Sequence, residues 1–330
     1  MYAATARSAD VTVAAVDLGS NSFHLVVATT QGHYVVPLVQ LKQTIALSSG
    51  IRDGKISLCT LEKVLHCLTE YSAIIAQYRP DRVLAVGTAA FRELPAAAYA
   101  FELQRVFPWH TMILSGEEEA KWVYQALAPE IPNRNLGHIV LDIGGGSTEC
   151  TYGWQSHYGA GCSLNLGCLT LQKYVPWAQA RTLVGYERLY TRCAAAYSTV
   201  VPQFPTAEGL WMSEGIGKRL SKALGGVLQF SRAVLDRWIL RQLQGCKQYA
   251  YSVLDALTWY GAIILQATVH QLGIEHIHIT SRALRHGIVE RLISSAVVGN
   301  TDSAAVEHTK ATERRWQAIP TTTPIRLPLL

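Results

Sequence analysis

Short apolar runs that end in an acid and a loop of small residues alternate along this chain with longer segments whose apolar positions recur every three or four residues. The first kind reads as buried strands, the second as helices packed on one side. Val13-Ala14-Ala15-Val16 runs into Asp17-Leu18-Gly19-Ser20-Asn21-Ser22, and the alternation of Phe23 to Ala28 continues as a second strand. The loop therefore joins two strands of a hairpin. This excludes a phosphate loop of the strand-to-helix kind, which also needs a Gly-Lys-Ser/Thr run. Residues 33–41 predict a third strand. From Thr60 to Tyr78, the positions Leu61, Val64, Leu65, Leu68, Tyr71, Ile75 and Tyr78 mark one face of a helix that stops near Pro80. A strand is expected from Arg82 to Val86, then a helix start with Thr88 as N-cap and Arg92 one turn in. A further strand from Thr111 to Leu114 leads to Ser115-Gly116-Glu117-Glu118-Glu119, where Ser115 and Glu118 have capping-box spacing and the helix runs to Pro129.

The pattern then starts again. Ile139-Val140-Leu141-Asp142-Ile143-Gly144-Gly145-Gly146-Ser147-Thr148-Glu149 has the order of the first loop: acid, apolar residue, Gly, two small residues, Ser, with Asp142 lying 125 residues after Asp17. Residues 129–137 read as the connection between two halves. Later come a strand and glycine turn at Leu210 to Lys218, an apolar helix from Leu254 to Val269, and a strand at Ile274 to Ile279 leading into Thr280 to Gly287. From Val298 the pattern fades, and we expect residues 301–330 to be a loosely held tail. The expectation is a duplicated α/β unit, divided at 11–128 and 129–300, with its two loops facing each other across a cleft.

The loops carry the first candidate chemistry. Three successive glycines allow φ > 0 and would turn several N–H groups into one concavity that holds an anion; for a lone Gly-Gly-Gly a hairpin with relieved strain reads equally well. Arg92 beside a strand-to-helix turn suits bidentate phosphate contact, with a solvated or salt-bridged Arg as the alternative. Glu118 has the capping work, which leaves Glu119 to orient a water or take its proton if it faces the cleft. Lys218, Arg219 and Lys222 form a candidate basic wall, or a solvated helix face.

Composition narrows the partner. With 330 residues, 49% hydrophobic and 16% charged, the chain can build two domains. Its first ten residues hold no apolar signal core and no run approaches the roughly 18 residues of a span, so a soluble, cytoplasmic protein without membrane contact is expected. Seven cysteines without a C-x-x-C pair read as reduced, buried small hydrophobes. Eleven histidines without an H-E-x-x-H pattern give no zinc site, and His276 and His278 read as solvent-side strand residues. A net charge of +5 without a basic block favours a small polyanion over duplex nucleic acid.

Taken together, Asp17 to His24, Gly87-Thr88 with Arg92, Ser115 to Ala120 and Asp142 to Glu149 resemble, in order and spacing, the motifs of the exopolyphosphatase and guanosine pentaphosphate phosphatase family. The likeness covers about residues 11–295. It implies an α/β fold of two duplicated ribonuclease-H-like domains around a central cleft, as in actin, the sugar kinases and the heat-shock chaperone ATPases. It further implies that Glu119 activates the attacking water and that Asp142 and Glu149 hold Mg²⁺ (or Mn²⁺), and we add Asp17 of the first loop as a third candidate metal ligand. Arg92 and the loop residues Gly19, Ser20, Asn21, Ser22, Gly144, Gly145, Gly146 and Ser147 match phosphate-contacting positions, and we add Lys218 from the basic wall. The expected activity is metal-dependent hydrolysis of polyphosphate or guanosine pentaphosphate, placing the chain in the stringent response. A kinase of the same fold and a non-catalytic sensor of the same ligands are the alternatives, and a homodimer stays open. Two stretches depart from the family pattern: Met212-Ser213-Glu214 precede Gly215 where small residues are usual, and Arg282 and His286 replace a glycine and an acid. A carboxylate at Glu214 would repel phosphate.

Overall fold

The computed structural model describes residues 10–132, 137–154, 157–198, 204–245, 255–297 and 315–316. The first half consists of β1 (Thr12–Leu18), β2 (Ser22–Gln31), β3 (Tyr34–Thr44), α1 (Leu47–Gly50), the small hairpin β4 (Ile51–Arg52) and β5 (Lys55–Ile56), α2 (Leu58–Tyr78), β6 (Arg82–Gly87), α3 (Ala89–Arg92), α4 (Ala96–Val106), β7 (Thr111–Ile113) and α5 (Gly116–Leu127). The second half has β8 (Gly137–Ile143), β9 (Thr148–Trp154), β10 (His157–Leu164), α6 (Cys168–Tyr174), α7 (Trp177–Ala180), α8 (Leu183–Tyr197), β11 (Ala207–Met212), α9 (Glu214–Ala223), β12 (Gln229–Ser231), α10 (Arg232–Leu243), α11 (Ala256–Gln271), β13 (His276–Ile279) and α12 (Leu284–Val297). A final pair, β14 (Arg315–Trp316), runs parallel to the start of β3. The rest of the expected tail, and the expected helix start at Leu254, lie outside the described residues.

The duplication is visible in the sheets. One has the order β14-β3-β2-β1-β6-β7 and the other β10-β9-β8-β11-β13-β12. In each, a three-strand antiparallel meander is followed by two parallel neighbours reached through helices. This is the mixed α/β, two-domain fold of the ribonuclease-H-like and actin-like class. β1 reads as an almost unbroken apolar run because both of its faces are covered: Ala14, Val16 and Leu18 pack towards α2, and Val13 and Ala15 towards α5 and α12. The α2 stripe of Val64, Cys67, Leu68, Tyr71 and Ile75 is buried as its spacing predicts. In the second half α11 is buried all round, from Thr258 to Val269, and forms the centre of the core.

The two halves share a core. α5 packs on β9 and β10, and α12 returns to lie on β1, β2 and α5, so that Val123, Leu127, Ile288, Val289 and Ile293 join Val13 of the first sheet to Val140 and Trp211 of the second. The division at 11–128 and 129–300 is our proposal for the domains; within it, α12 is the segment that crosses back to the first sheet.

The capping box on α5 is present in both directions, from Ser115 to the Glu118 N–H and from Glu118 to the Ser115 N–H. Six cysteines are free thiols among the described residues, of which Cys67, Cys150, Cys168 and Cys193 are buried, whereas Cys59 is exposed at the start of α2. Cys246 lies outside the described residues. His276 is exposed as expected, and His278 stacks on Trp211 with ring centroids 4.5 Å apart. Among the described residues, no helix is long and apolar enough to cross a membrane.

Candidate active site

Strand register builds the site. Asp17 lies opposite His24 across the first hairpin, and His24 opposite Lys42 on β3. The equivalent row in the second half is Asp142, Glu149 and Ser163. Each meander thus carries a cross-strand row that begins with the acid before its loop. Asp17, His24, Lys42, Asp142 and Glu149 line a cleft of about 160 Å³ together with both loops, Thr88, Glu119, Arg219 and Arg285. A larger hollow of about 380 Å³, between Arg52 and Lys173, is lined by no carboxylate, so chemistry rather than size selects the cleft.

The loops touch. A Cβ at Gly145 would come within 3.2 Å of both Asn21 Cβ and Leu169 Cδ1, and one at Gly146 within 2.7 Å of Ser20 Oγ. Here the structure corrects the sequence reading: Gly19, Gly144, Gly145 and Gly146 do not lie in the left-handed region that a φ > 0 nest requires. Their glycines are needed for close approach. The loop's carbonyls are occupied, Gly144 O by the Cys168 N–H at 3.0 Å and Gly145 O by the Leu169 N–H at 2.8 Å. Ser20 Oγ accepts from the Ala90 N–H at 3.2 Å, which ties the first loop to α3.

Glu119 sits in the first turn of α5 and is buried. Arg92 donates to Glu119 Oε2 at 2.6 Å and to Leu114 O at 3.0 Å, and reaches Ser163 Oγ at 3.5 Å; Ser163 in turn donates to Glu149 Oε1 at 2.7 Å. The close approach of α5 to β10 depends on Gly116, whose Cβ would lie 2.5 Å from Ser163 Cβ. Asp142 accepts from Ser213 Oγ, the N-cap residue of α9, whose side chain serves the acid and not the helix.

Four carboxyls converge here, Glu119 and Glu149 buried and Asp17 and Asp142 half-buried. Burial pushes Asp17 up to about 7, with Arg285 opposing and Asp142 reinforcing the shift. Burial likewise brings Glu149 to about 7, with Asp142 adding to it and the Ser163 and Ser147 hydroxyls opposing. Burial also raises Asp142, and it raises Glu119 well above the usual carboxylate range, with Glu149 adding and Arg92 opposing. His24 is held neutral, down to about 3, by burial and then by Arg285 and Lys42. A divalent cation fits this donor set because it would offset carboxylate charge that the nearby arginines do not balance. Among the described residues no three or more His, Cys, Asp or Glu side chains form a metal cage. The fit is therefore to an ion held by one or two carboxylates, its remaining positions left to water and phosphate.

The cleft gathers Asp17, Gly19, Ser20, Asn21, Ser22, Glu119, Asp142, Gly144, Gly145, Gly146, Ser147 and Glu149 of the residues predicted from sequence, with Arg92 directly behind Glu119. Lys218 is not brought in. Its side chain is 62% exposed and pairs with Glu214 one turn back, whereas the next residue, Arg219, faces the cleft. A helix starting at Glu214 rotates neighbouring residues by about 100°, so one residue decides which of them faces inward. Lys42, Arg219 and Arg285 are the cations that complete the wall. Lys42 was legible in principle, as the position opposite His24 once the hairpin register is drawn. Glu214 does not confront the cleft as a bare charge, since Arg285 and Lys218 both bond it. Arg282 is buried and paired with Glu290. Burial, followed by Arg285 and Arg282, drives His286 far below its ordinary value.

Two ribonuclease-H-like halves with acids and paired small-residue loops around one cleft have the architecture of the actin-like fold class. A model of the Ppx/GppA phosphatase family matches residues 25–182. The Ppx/GppA enzyme of Aquifex aeolicus superposes with a TM-score of 0.71 at 20% identity, over 85% of this chain and 99% of that one. An exopolyphosphatase of Cytophaga hutchinsonii superposes with a TM-score of 0.75 at 16% identity, over 86% of this chain and 98% of that one.

Proposed function

We propose that the chain is a Mg²⁺-dependent phosphohydrolase that releases terminal phosphate from inorganic polyphosphate or guanosine pentaphosphate in the cytoplasm. The observation that carries this reading is the convergence of Glu119, Asp142 and Glu149 on a cleft lined by both loops, with Arg92 bonded to Glu119. Glu119 Oε2 is fixed by Arg92, which favours the ionised base and leaves Oε1 to accept a water proton. Ser20, Ser22, Thr88 and Ser147 supply hydroxyl donors to the bound phosphates, while Lys42, Arg219 and Arg285 offset the charge of the chain that follows. Asp142 and Glu149, with Asp17 facing them, are the groups that would hold the ion, which when bound orients the phosphate oxygens and offsets their charge.

The test is phosphate release from short polyphosphate, long polyphosphate and guanosine pentaphosphate, with Mg²⁺ and with chelator. Release from at least one substrate, lost on chelation, is expected. Tight binding without release at long times would establish a sensor instead, and ADP formed from ATP with an acceptor would establish a kinase.

The acid cluster gives a second prediction. Asp17 and Glu149 have folded pKa values of about 7, above the values of 3.8 and 4.5 for the free groups. The metal-free folded chain therefore binds more protons than the unfolded chain between pH 4 and 7, and its stability falls as pH rises through that window. Thermal unfolding with chelator should show a lower melting temperature at pH 7.5 than at pH 5.5, and added Mg²⁺ should recover most of the difference. A metal-free protein that melts higher at pH 7.5 would contradict the unbalanced acid cluster.

A further inference from the structure

Each cleft-facing arginine of the second half is already paired with a carboxylate. Arg219 donates to Asp255 at 2.7 Å, and Asp255 is also the N-cap of α11, so this pair is part of the scaffold. Arg285 is different. It lines the cleft, and its partner is Glu214, in the first turn of α9. Both oxygens of Glu214 are taken, Oε2 by Arg285 and Oε1 by Lys218. The backbone fixes the geometry, because the Glu214 N–H donates to Arg282 O at 2.8 Å and so ties the start of α9 to the segment that carries Arg285. Glu214 and Arg285 are 16% and 13% exposed, whereas Lys218 is 62% exposed, so the inner pair is the well-shielded one. Within the cleft Lys42 is the lining cation without an ion pair among the described residues.

We propose that Glu214 is a built-in competing anion that holds Arg285 until a substrate carrying several phosphate charges shares or displaces it, and so determines the affinity and selectivity of the cleft. This rests on reading the cleft as a polyphosphate site. An anion with one phosphate gains little from taking over a guanidinium that already has a fixed, charge-assisted partner. A linear polyphosphate that also reaches Lys42 and Arg219 gains enough contacts to do so. Glu214 therefore raises the number of phosphate groups needed for binding and favours release of orthophosphate.

Glu214→Gln keeps the shape and the helix start and removes the charge. Calorimetric titration with orthophosphate and with tripolyphosphate, at several KCl concentrations, should show that the variant binds both more tightly, on the order of 10-fold for tripolyphosphate, with a steeper salt dependence. Adding Arg285→Gln should abolish the gain. Lys218→Met, which leaves Glu214 to Arg285 alone, should weaken binding about 2-fold to 3-fold and keeps the test open if Glu214→Gln melts early. Unchanged or weaker binding by a folded Glu214→Gln protein, or a gain that survives loss of Arg285, would overturn the role of Glu214 while leaving the function intact. Tripolyphosphate binding by neither wild type nor variant overturns the polyphosphate reading of the cleft, and this inference with it.

Discussion

Replacing Glu119 by glutamine is expected to lower kcat for phosphate release about 1000-fold with little change in KM, the usual scale for losing a general base. The substitution is nearly isosteric. The amide oxygen can still accept from Arg92, so the bonds of Arg92 to Leu114 O and Ser163 survive and the loops keep their support. Glu119→Ala would instead leave the Arg92 guanidinium without its carboxylate, and its lower rate would mix chemistry with repacking. The pH profile separates the two. In the wild type, burial and Glu149 raise the Glu119 pKa, so the rate should climb with pH as the base ionises; in Glu119→Gln that limb should disappear. Tripolyphosphate should bind the variant at least as tightly, because one buried negative charge has gone. A folded Glu119→Gln protein with kcat within 10-fold of wild type would remove Glu119 from the base role.

The parts of this site that could be read from the sequence are local. The acid-and-loop motif recurs with its order intact, and in an antiparallel hairpin a short loop fixes which residues face each other. Asp142 therefore predicts Glu149 as its neighbour, and the capping box at Ser115 releases Glu119 for the cleft, as found. What escaped depends on contacts distant in sequence. Nothing near Glu214 reveals that Arg285, 71 residues later, neutralises it, so a carboxylate that looked hostile to phosphate proves to be one side of an ion pair. The return of α12 to the first sheet has the same character. Its apolar residues mark a helix, but no periodicity says which sheet it will cover. The glycines show a third limit. Sequence can ask for a residue without a Cβ, and it cannot say whether the reason is backbone conformation or, as at Gly145 and Gly146, a neighbour too close to admit one.

That distinction leads to the Gly145→Val variant, which should lose about 100-fold in tripolyphosphate affinity while both cores stay folded. Gly145 is not in the left-handed region, so valine meets no left-handed backbone strain. The cost is steric. Its Cβ would sit 3.2 Å from Asn21 Cβ and Leu169 Cδ1 and 3.3 Å from Asn21 N, and the two methyl groups beyond it need space that the first loop now fills. The first loop is held from behind by the Ile45 and Ala46 N–H groups on Asn21 O, at 3.0 and 2.8 Å, so it cannot simply fold away. The loops must separate, and a phosphate that bonds to both loses the donors of one. Two charge-assisted hydrogen bonds at about 1.5 kcal/mol each amount to roughly 100-fold. Because no residue of either loop belongs to the shared core of α5 and α12, its packing should be untouched and the melting temperature should fall only slightly. Wild-type affinity in the variant would rule out a clamp made by the two loops.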